Sequence, residues 1–207
     1  MSVTRALAIL KAEGLVEGRK GQGVYCTSRR PTVVRASHYP VPSPTGQPYP
    51  WITEVAGRSR VGSSTLLEVQ EEPAPAQVAA AFGLVMGDPV VMRHQLLSLD
   101  DEPAELVWSY YPVDIARGTA LAEHRRITGG SPAVLAELGL PARRAVDQIA
   151  TRFATVAEFV ALKLPEDVPV LRQFRVVFTD GDRPVEATVM IKAGQQYEVQ
   201  YELPEPT

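Results

Sequence analysis

The sequence contains a single cysteine, Cys26, and three histidines that lie far apart along the chain. One cysteine cannot form an intramolecular disulfide, and it cannot provide the paired thiolates of a cysteine metal cluster. The histidines show no metal-ligand spacing, and they are most simply surface or core polar groups. We therefore expect neither a metal site nor a cofactor.

Long apolar runs are also missing: no segment approaches the roughly 20 residues that a membrane-spanning helix requires. Polar and charged residues interrupt the first fourteen positions, MSVTRALAILKAEG, so these do not form the core of a signal peptide. The sequence has no G-x-S-x-G nucleophile motif and no glycine-rich phosphate loop. These absences, with the scarcity of cysteine, predict a cytoplasmic protein with no membrane partner and no recognisable catalytic motif.

The charges that are present divide the chain into two parts. Residues 1–30 hold six basic and two acidic side chains, a balance of +4, whereas the remainder holds 15 basic and 22 acidic groups, a balance of −7. A small basic segment ahead of an acidic body suggests two modules with different partners. A solvated, charged terminus without a partner is the simpler alternative.

The basic segment begins with a pattern typical of a helix followed by a hairpin. Apolar residues recur at helical spacing between Val3 and Leu10, and Gly14 is placed to end the helix. The segment Gly21-Gln22-Gly23 then separates two short apolar runs, as the turn of a β-hairpin would. A helix followed directly by such a hairpin is how a winged helix-turn-helix ends, with the helix in the major groove of DNA.

The segment VTRALAILKAEGLVEGRKGQGVY resembles the recognition helix and wing of the GntR family of regulators. The family pattern is T-V-x-x-A-L-x-x-L-x-x-x-G-L-[IV], then a basic stretch and G-x-G. The resemblance implies an operator-binding surface formed by Thr4, Arg5, Arg19, Lys20, Gly21, Gln22 and Gly23. The two helices and the strand that precede this point in the family are absent, so we expect a remnant of the domain, with Met1 a misassigned or engineered start. The 207 residues by themselves should bind DNA poorly, because a lone helix of this length is marginally stable.

Residues 31–61 are rich in proline, with six between positions 31 and 50. Such density disfavours regular helices and central strands. We predict an extended connection between two modules, with Trp51 and Ile52 as its anchor.

The body contains a repeat of about 80 residues. Each copy reads as a short helix, a strand, an acidic turn and a returning strand. The pairs of equivalent positions are Leu84 and Leu164, Pro89 and Pro169, Val90 and Val170, Asp100 and Asp180, Pro103 and Pro184, and Glu105 and Glu186. We predict strands at 90–99, 104–111, 170–178 and 185–191, further strands at 64–70, 140–153 and 197–203, and helices at 75–83, 131–138 and 155–162. Successive hairpins with helices packed on them give an α+β fold with a mainly antiparallel sheet.

This body resembles the UTRA effector domain, which follows the GntR head in the HutC subfamily. The matching phrases are DPVVMR at 88–93, WSYYP at 108–112, LAELGL at 135–140, VPVLR at 168–172 and DGDRPVE at 180–186. The resemblance covers about 62–203. It implies a fold like that of chorismate lyase, used as a ligand sensor that also makes the contacts of a homodimer.

Strand alternation then predicts where an effector would bind. One face of the first hairpin carries Arg93, Gln95, Glu105, Ser109 and Tyr111, and the second hairpin adds Glu186 and Thr188. UTRA domains use arginine and glutamate at such positions to hold a small polar effector, often a sugar derivative. Each residue has a simpler alternative role, since Arg93 could pair with Glu105, and Glu186 with Arg175 or Arg172.

The chain is therefore predicted to be an effector-responsive, DNA-binding transcriptional regulator, most simply a repressor that leaves its operator when a metabolite binds. Two other functions stay open. The lyase-like fold allows an enzyme, although fold likeness alone cannot establish activity. A pure dimerisation module, with both faces of the sheet used for packing, is the other alternative.

Overall fold

A computed structural model describes residues 2–12, 15–19, 21, 23–26, 31–36, 39–44, 46–166 and 168–202. Its helices are α1 (Val3–Ala12), α2 (Pro50–Ala56), α3 (Ala76–Phe82), α4 (Val113–Ala116), α5 (Ser131–Glu137) and α6 (Val156–Ala161). Its strands are β1 (Val16–Arg19), β2 (Gly23–Cys26), β3 (Thr32–Arg35), β4 (Gly62–Pro73), β5 (Pro89–Leu99), β6 (Glu102–Pro112), β7 (Arg144–Arg152), β8 (Val170–Phe178), β9 (Pro184–Ala193) and β10 (Tyr197–Gln200).

Six strands form one sheet in the order β4-β5-β6-β9-β8-β7, and every neighbouring pair is antiparallel. The order mirrors the repeat in the sequence, because each copy supplies a strand, a helix and a hairpin, and the two hairpins meet at β6 and β9. Asp100 and Asp101 both adopt the left-handed conformation that a tight hairpin turn between β5 and β6 needs. The predicted α+β architecture and its mainly antiparallel sheet are confirmed.

The two faces of this sheet are covered differently. Helices α3 and α6 lie on one face, where apolar residues such as Val78, Met92 and Phe174 form part of the core. The opposite face is covered by α2 and by the segment that contains α4 and α5, which bury Trp51, Leu121 and Leu135. The polar residues predicted to bind an effector all lie on this second face.

The proline-rich segment differs from its predicted extended form in two places. Thr32–Arg35 is a strand that pairs in parallel with β10, and Pro50–Ala56 is a helix. Pro50 occupies the first turn of α2, where a missing backbone N–H costs nothing because that group has no partner within the helix. Strand β10 was predicted over 197–203 among the strands of the body; it pairs with β3 instead of joining the six-stranded sheet.

Strands β1 and β2 pair in antiparallel register after α1, as the predicted hairpin requires. Among the described residues no helix is long and apolar enough to cross a bilayer.

Candidate functional site

A cavity of about 100 Å³ lies against the second face of the sheet. All seven residues predicted to bind an effector line it: Arg93, Gln95, Glu105, Ser109, Tyr111, Glu186 and Thr188. The strand register explains this, since Arg93 pairs with Ser109 and Ser109 pairs with Thr188, which places their side chains in one row. Glu105 and Glu186, equivalent in the two repeats, reach the same cavity from neighbouring strands.

The opening of the cavity is covered by two segments outside the sheet. Residues 39–52, which we call the roof segment, contribute Tyr39, Pro40, Tyr49, Trp51 and Ile52. Residues 126–132 complete the cover, and Gly130 allows close contact, because a Cβ there would lie 2.6 Å from a ring carbon of Tyr49. The segment predicted to be a linker is therefore part of the cavity wall.

Glu186 is buried among hydroxyl groups. Its carboxylate accepts hydrogen bonds from Thr188 at 3.0 Å and from Tyr111 and Ser131 at 3.2 Å each. Burial raises the pKa of Glu186, and the hydroxyl donors oppose this rise because they stabilise the charged form.

The simple alternative for Glu186, an ion pair with Arg175 or Arg172, is wrong. Arg175 instead makes a bidentate ion pair with Asp147 on β7, with a shortest contact of 2.6 Å. Arg172 donates to the side chain of Gln77.

Glu105 forms a buried ion pair with Lys192 on β9, and both side chains are almost completely inaccessible to solvent. Burial lowers the pKa of Lys192, and the adjacent carboxylate opposes that change. The second carboxylate oxygen of Glu105, Oε2, accepts no hydrogen bond from the described part of the chain. The predicted alternative pairing of Arg93 with Glu105 is therefore wrong as well.

Arg93 is hydrogen-bonded to the loop that directly precedes the cavity-lining residues 126–132. Its guanidinium donates to four backbone carbonyls, those of Ala120, Leu121, Glu123 and Arg125, at 2.8 to 3.2 Å. A guanidinium presents five donors and is suited to this role. Arg93 therefore fixes the position of this loop. The side chain of Gln95 donates a hydrogen bond to the hydroxyl of Ser64 on β4 at 3.3 Å.

Three cationic residues that line the cavity were not predicted: Arg126, Arg175 and Lys192. Lys192 was missed because the strand was predicted to end at Ile191, although it continues the alternation of Glu186, Thr188 and Met190. Arg175 lies opposite Thr188 in the register and could have been found by the same rule. Arg126 lies in an exposed loop without periodicity, so nothing in the sequence indicates it.

The predicted DNA-contacting residues are partly described. Thr4 and Arg5 are exposed on α1, and Arg19 ends strand β1. Gly21, in the turn, and Gly23, at the start of β2, have φ values of 77° and 109°, in the region that favours glycine, which accounts for both glycines. Lys20 and Gln22 lie outside the described residues.

Comparison with known proteins agrees with the resemblance seen in the sequence. Residues 57–198 match the UTRA domain family. RB1450 of Rhizobium meliloti (strain 1021), an HTH-type transcriptional regulator, is 30% identical over 187 residues, which are 89% of this chain and 72% of that protein.

Comparison with solved structures identifies the same family. A GntR-family transcriptional regulator is 25% identical, with a TM-score of 0.73 over 100% of this chain and 84% of its own. The ligand-binding domain of a GntR-family regulator from Bordetella bronchiseptica is also 25% identical, with a TM-score of 0.62 over 69% of this chain and 89% of its own. The chain therefore belongs to the GntR family of transcriptional regulators and carries the UTRA domain.

Proposed function

We propose that this protein is a homodimeric transcriptional repressor that a small polar metabolite releases from its operator. In this proposal residues 1–30 belong to the DNA-binding domain, 31–61 connect it to the body, and 62–203 form the effector-binding and dimerisation domain. The observation that carries the proposal is the roofed cavity, in which polar side chains from five strands converge. Such convergence in a concave site is typical of ligand binding.

The lining favours a compact, hydroxyl-rich ligand. At about 30 Å³ per water molecule, a cavity of about 100 Å³ holds about three waters, so it suits a compact ligand. Ser109 and Thr188 line the cavity, and their hydroxyl groups can donate or accept hydrogen bonds. Arg126 is exposed beside the opening and could contact an anionic substituent. A sugar derivative fits these groups, and it is the effector class that we propose.

The basic segment supplies the proposed DNA contacts. Thr4 and Arg5 face solvent on α1, Gly21 lies in the turn after β1, and Gly23 begins β2. We propose that α1 enters the major groove and that the β1–β2 hairpin, with Arg19, Lys20 and Gln22, contacts the backbone as a wing. In an operator complex, loss of a base-contacting Arg5 should cost about 1–3 kcal/mol and relax sequence selectivity.

A thermal-shift screen of sugars, sugar phosphates and amino acids tests the proposed site. We expect one class to raise the melting temperature in proportion to ln(1 + [L]/Kd), without being consumed. Glu186→Gln and Thr188→Val should weaken that binding at least about tenfold, because the first replaces a carboxylate with a neutral amide and the second replaces a hydroxyl with a methyl group. The matched control is Glu137→Gln, which makes the same chemical change at an exposed position on α5.

Each alternative function predicts a different result. Turnover of the stabilising compound would indicate an enzyme. A complete lack of stabilisation across the panel would favour a dimerisation module. Equal binding by Glu186→Gln and Glu137→Gln would show that the effector does not occupy this cavity.

A further inference from the structure

Glu186 has no cationic partner among the described residues, although four cationic side chains line the same cavity. Three of these cations are bound to other groups: Arg175 to Asp147, Lys192 to Glu105, and Arg93 to four backbone carbonyls. The fourth, Arg126, is exposed and forms no ion pair with Glu186. Within the described part of the chain, the carboxylate of Glu186 is therefore a negative charge without a counter-ion.

The burial of Glu186 makes this lack of a counter-ion costly. The residue is only 8% exposed, and a buried charge is normally paired because its desolvation is expensive. Its contacts are the hydroxyl groups of Tyr111, Ser131 and Thr188, which donate hydrogen bonds but carry no charge. A neutral glutamine would satisfy these hydroxyl groups as well. The charge of Glu186 is thus not explained by the packing around it.

The hydrogen bonds of Glu186 are unevenly divided between its two oxygens. Oε1 accepts from Thr188 at 3.0 Å, from Tyr111 at 3.2 Å and from Ser131 at 3.4 Å. Among the described residues Oε2 accepts only from Ser131, at 3.2 Å. Since each carboxylate oxygen accepts about two hydrogen bonds, Oε2 has capacity for one further donor. A positively charged donor forms a hydrogen bond about twice as strong as a neutral one.

Aromatic side chains surround the carboxylate in this cavity, whose lining includes Tyr39, Tyr49, Trp51 and Tyr111. Burial, and then the charge of Glu186, raise the pKa of both Tyr49 and Tyr111, so these two phenols lie close to the carboxylate. The faces of aromatic rings carry partial negative charge and attract organic cations. Aromatic rings beside an unpaired carboxylate therefore favour a cationic group over an anionic one.

We infer that the effector carries a protonated primary amine, which donates to Glu186 and lies among these aromatic rings. A quaternary ammonium has the charge but no N–H for Oε2, and a hydroxyl has the donor but not the charge. The amine can be a substituent of the proposed sugar derivative, with Arg126 left at the opening for an anionic substituent. This inference rests on the proposed function, because it specifies one group of an effector that occupies the same cavity.

Pairs of compounds that exchange one hydroxyl for an ammonium test the inference by isothermal titration calorimetry at neutral pH. The pairs are serinol with glycerol, which are compact, and glucosamine with glucose. In at least one pair the amine should bind the parent chain at least about tenfold more tightly, because its hydrogen bond to Glu186 is charge-assisted. In Glu186→Gln this preference should fall to within about twofold, since the acceptor is then neutral. Glu137→Gln, the same change at an exposed position on α5, is the control and should keep the preference.

The melting temperature without ligand provides a second measurement, which separates a binding role of Glu186 from a structural one. Glu186→Gln should melt no lower than the parent chain, because it removes the desolvation cost of an unpaired charge. A clearly lower melting temperature would assign the carboxylate a structural role and overturn the inference.

The affinities also distinguish failure of this inference from failure of the proposed function. Equal affinity of the parent chain for both members of each pair would overturn the amine and leave the cavity as the site of a neutral effector. If no compound of the thermal-shift screen or of these pairs binds, the proposed effector site is wrong and the inference falls with it.

Discussion

Charged side chains inside this domain are each fixed by particular partners, and the Glu105–Lys192 pair is the most buried of them. Removing either partner leaves the other as an unpaired charge in the core. Lys192→Met should lower the free energy of unfolding by about 3–5 kcal/mol, and Glu105→Gln should also destabilise the domain. The double variant Lys192→Met with Glu105→Gln should be more stable than Lys192→Met alone. Urea denaturation of all four proteins measures this coupling, and simple additivity of the two losses would contradict it.

The positions of the site residues could be predicted from sequence, but their partners could not. Alternation with a period of two is a local property of a strand, so it correctly placed Arg93, Gln95 and Glu105 on one face. The acceptors of Arg93 are carbonyls about 30 residues away in an irregular loop, which no periodicity indicates. An Arg93→Ala variant should consequently lose stability, and it is a poor probe of effector binding by itself.

Helix α2 joins the proline-rich segment to the sheet at Gly62, the first residue of β4. A Cβ at this position would lie 2.5 Å from Val55 and 2.9 Å from the ring of Trp51, both buried. Gly62→Ala should therefore destabilise the domain by about 1–3 kcal/mol, the usual cost of overpacking. Ser63→Ala, at the exposed neighbouring position, is the control and should stay within about 0.5 kcal/mol of the parent. Equal melting temperatures for the two variants would show that α2 does not pack here as described.

Elements whose contacts are close in sequence were predicted well. The hairpins β5–β6 and β8–β9 and helices α3, α5 and α6 lie within a few residues of their predicted positions, because turn residues, caps and periodicity are all local. Helix α2 was not predicted because the many prolines of this segment argue against a helix. Pro50, however, lies in the first turn of α2, where proline is tolerated. The pairing of β10 with β3 joins residues more than 160 positions apart, and four-residue strands carry too little pattern to indicate such a partner.

At the scale of the whole molecule, the roof segment lies between the basic segment and the body in the chain and also covers the cavity. Hydrogen bonds connect the roof segment with α2 and β3. The carboxylate of Glu54 on α2 accepts hydrogen bonds from the backbone N–H of Arg35 on β3 and from the hydroxyl of Tyr39. A ligand can change the position of a DNA-binding head only if it binds one arrangement better than another. Contact with the roof segment would supply that difference in affinity, and a coupling of about 1–3 kcal/mol would weaken operator binding substantially.

Trp51 offers a direct test of this coupling, because it lines the cavity, is 1% exposed, and has an indole N–H without a hydrogen-bond partner in the described residues. In a Trp108→Phe variant Trp51 is the sole tryptophan, and the metabolite identified by thermal shift should change its emission with the same dissociation constant. Trp108 stacks on His94 on the opposite face of the sheet, so the converse variant, Trp51→Phe, should show no such change. A signal carried by Trp108 instead would mean that the effector acts without moving the roof segment. A Trp51 signal would indicate that effector binding is sensed by the segment that leads to the proposed DNA-binding residues, because no other tryptophan contacts the cavity.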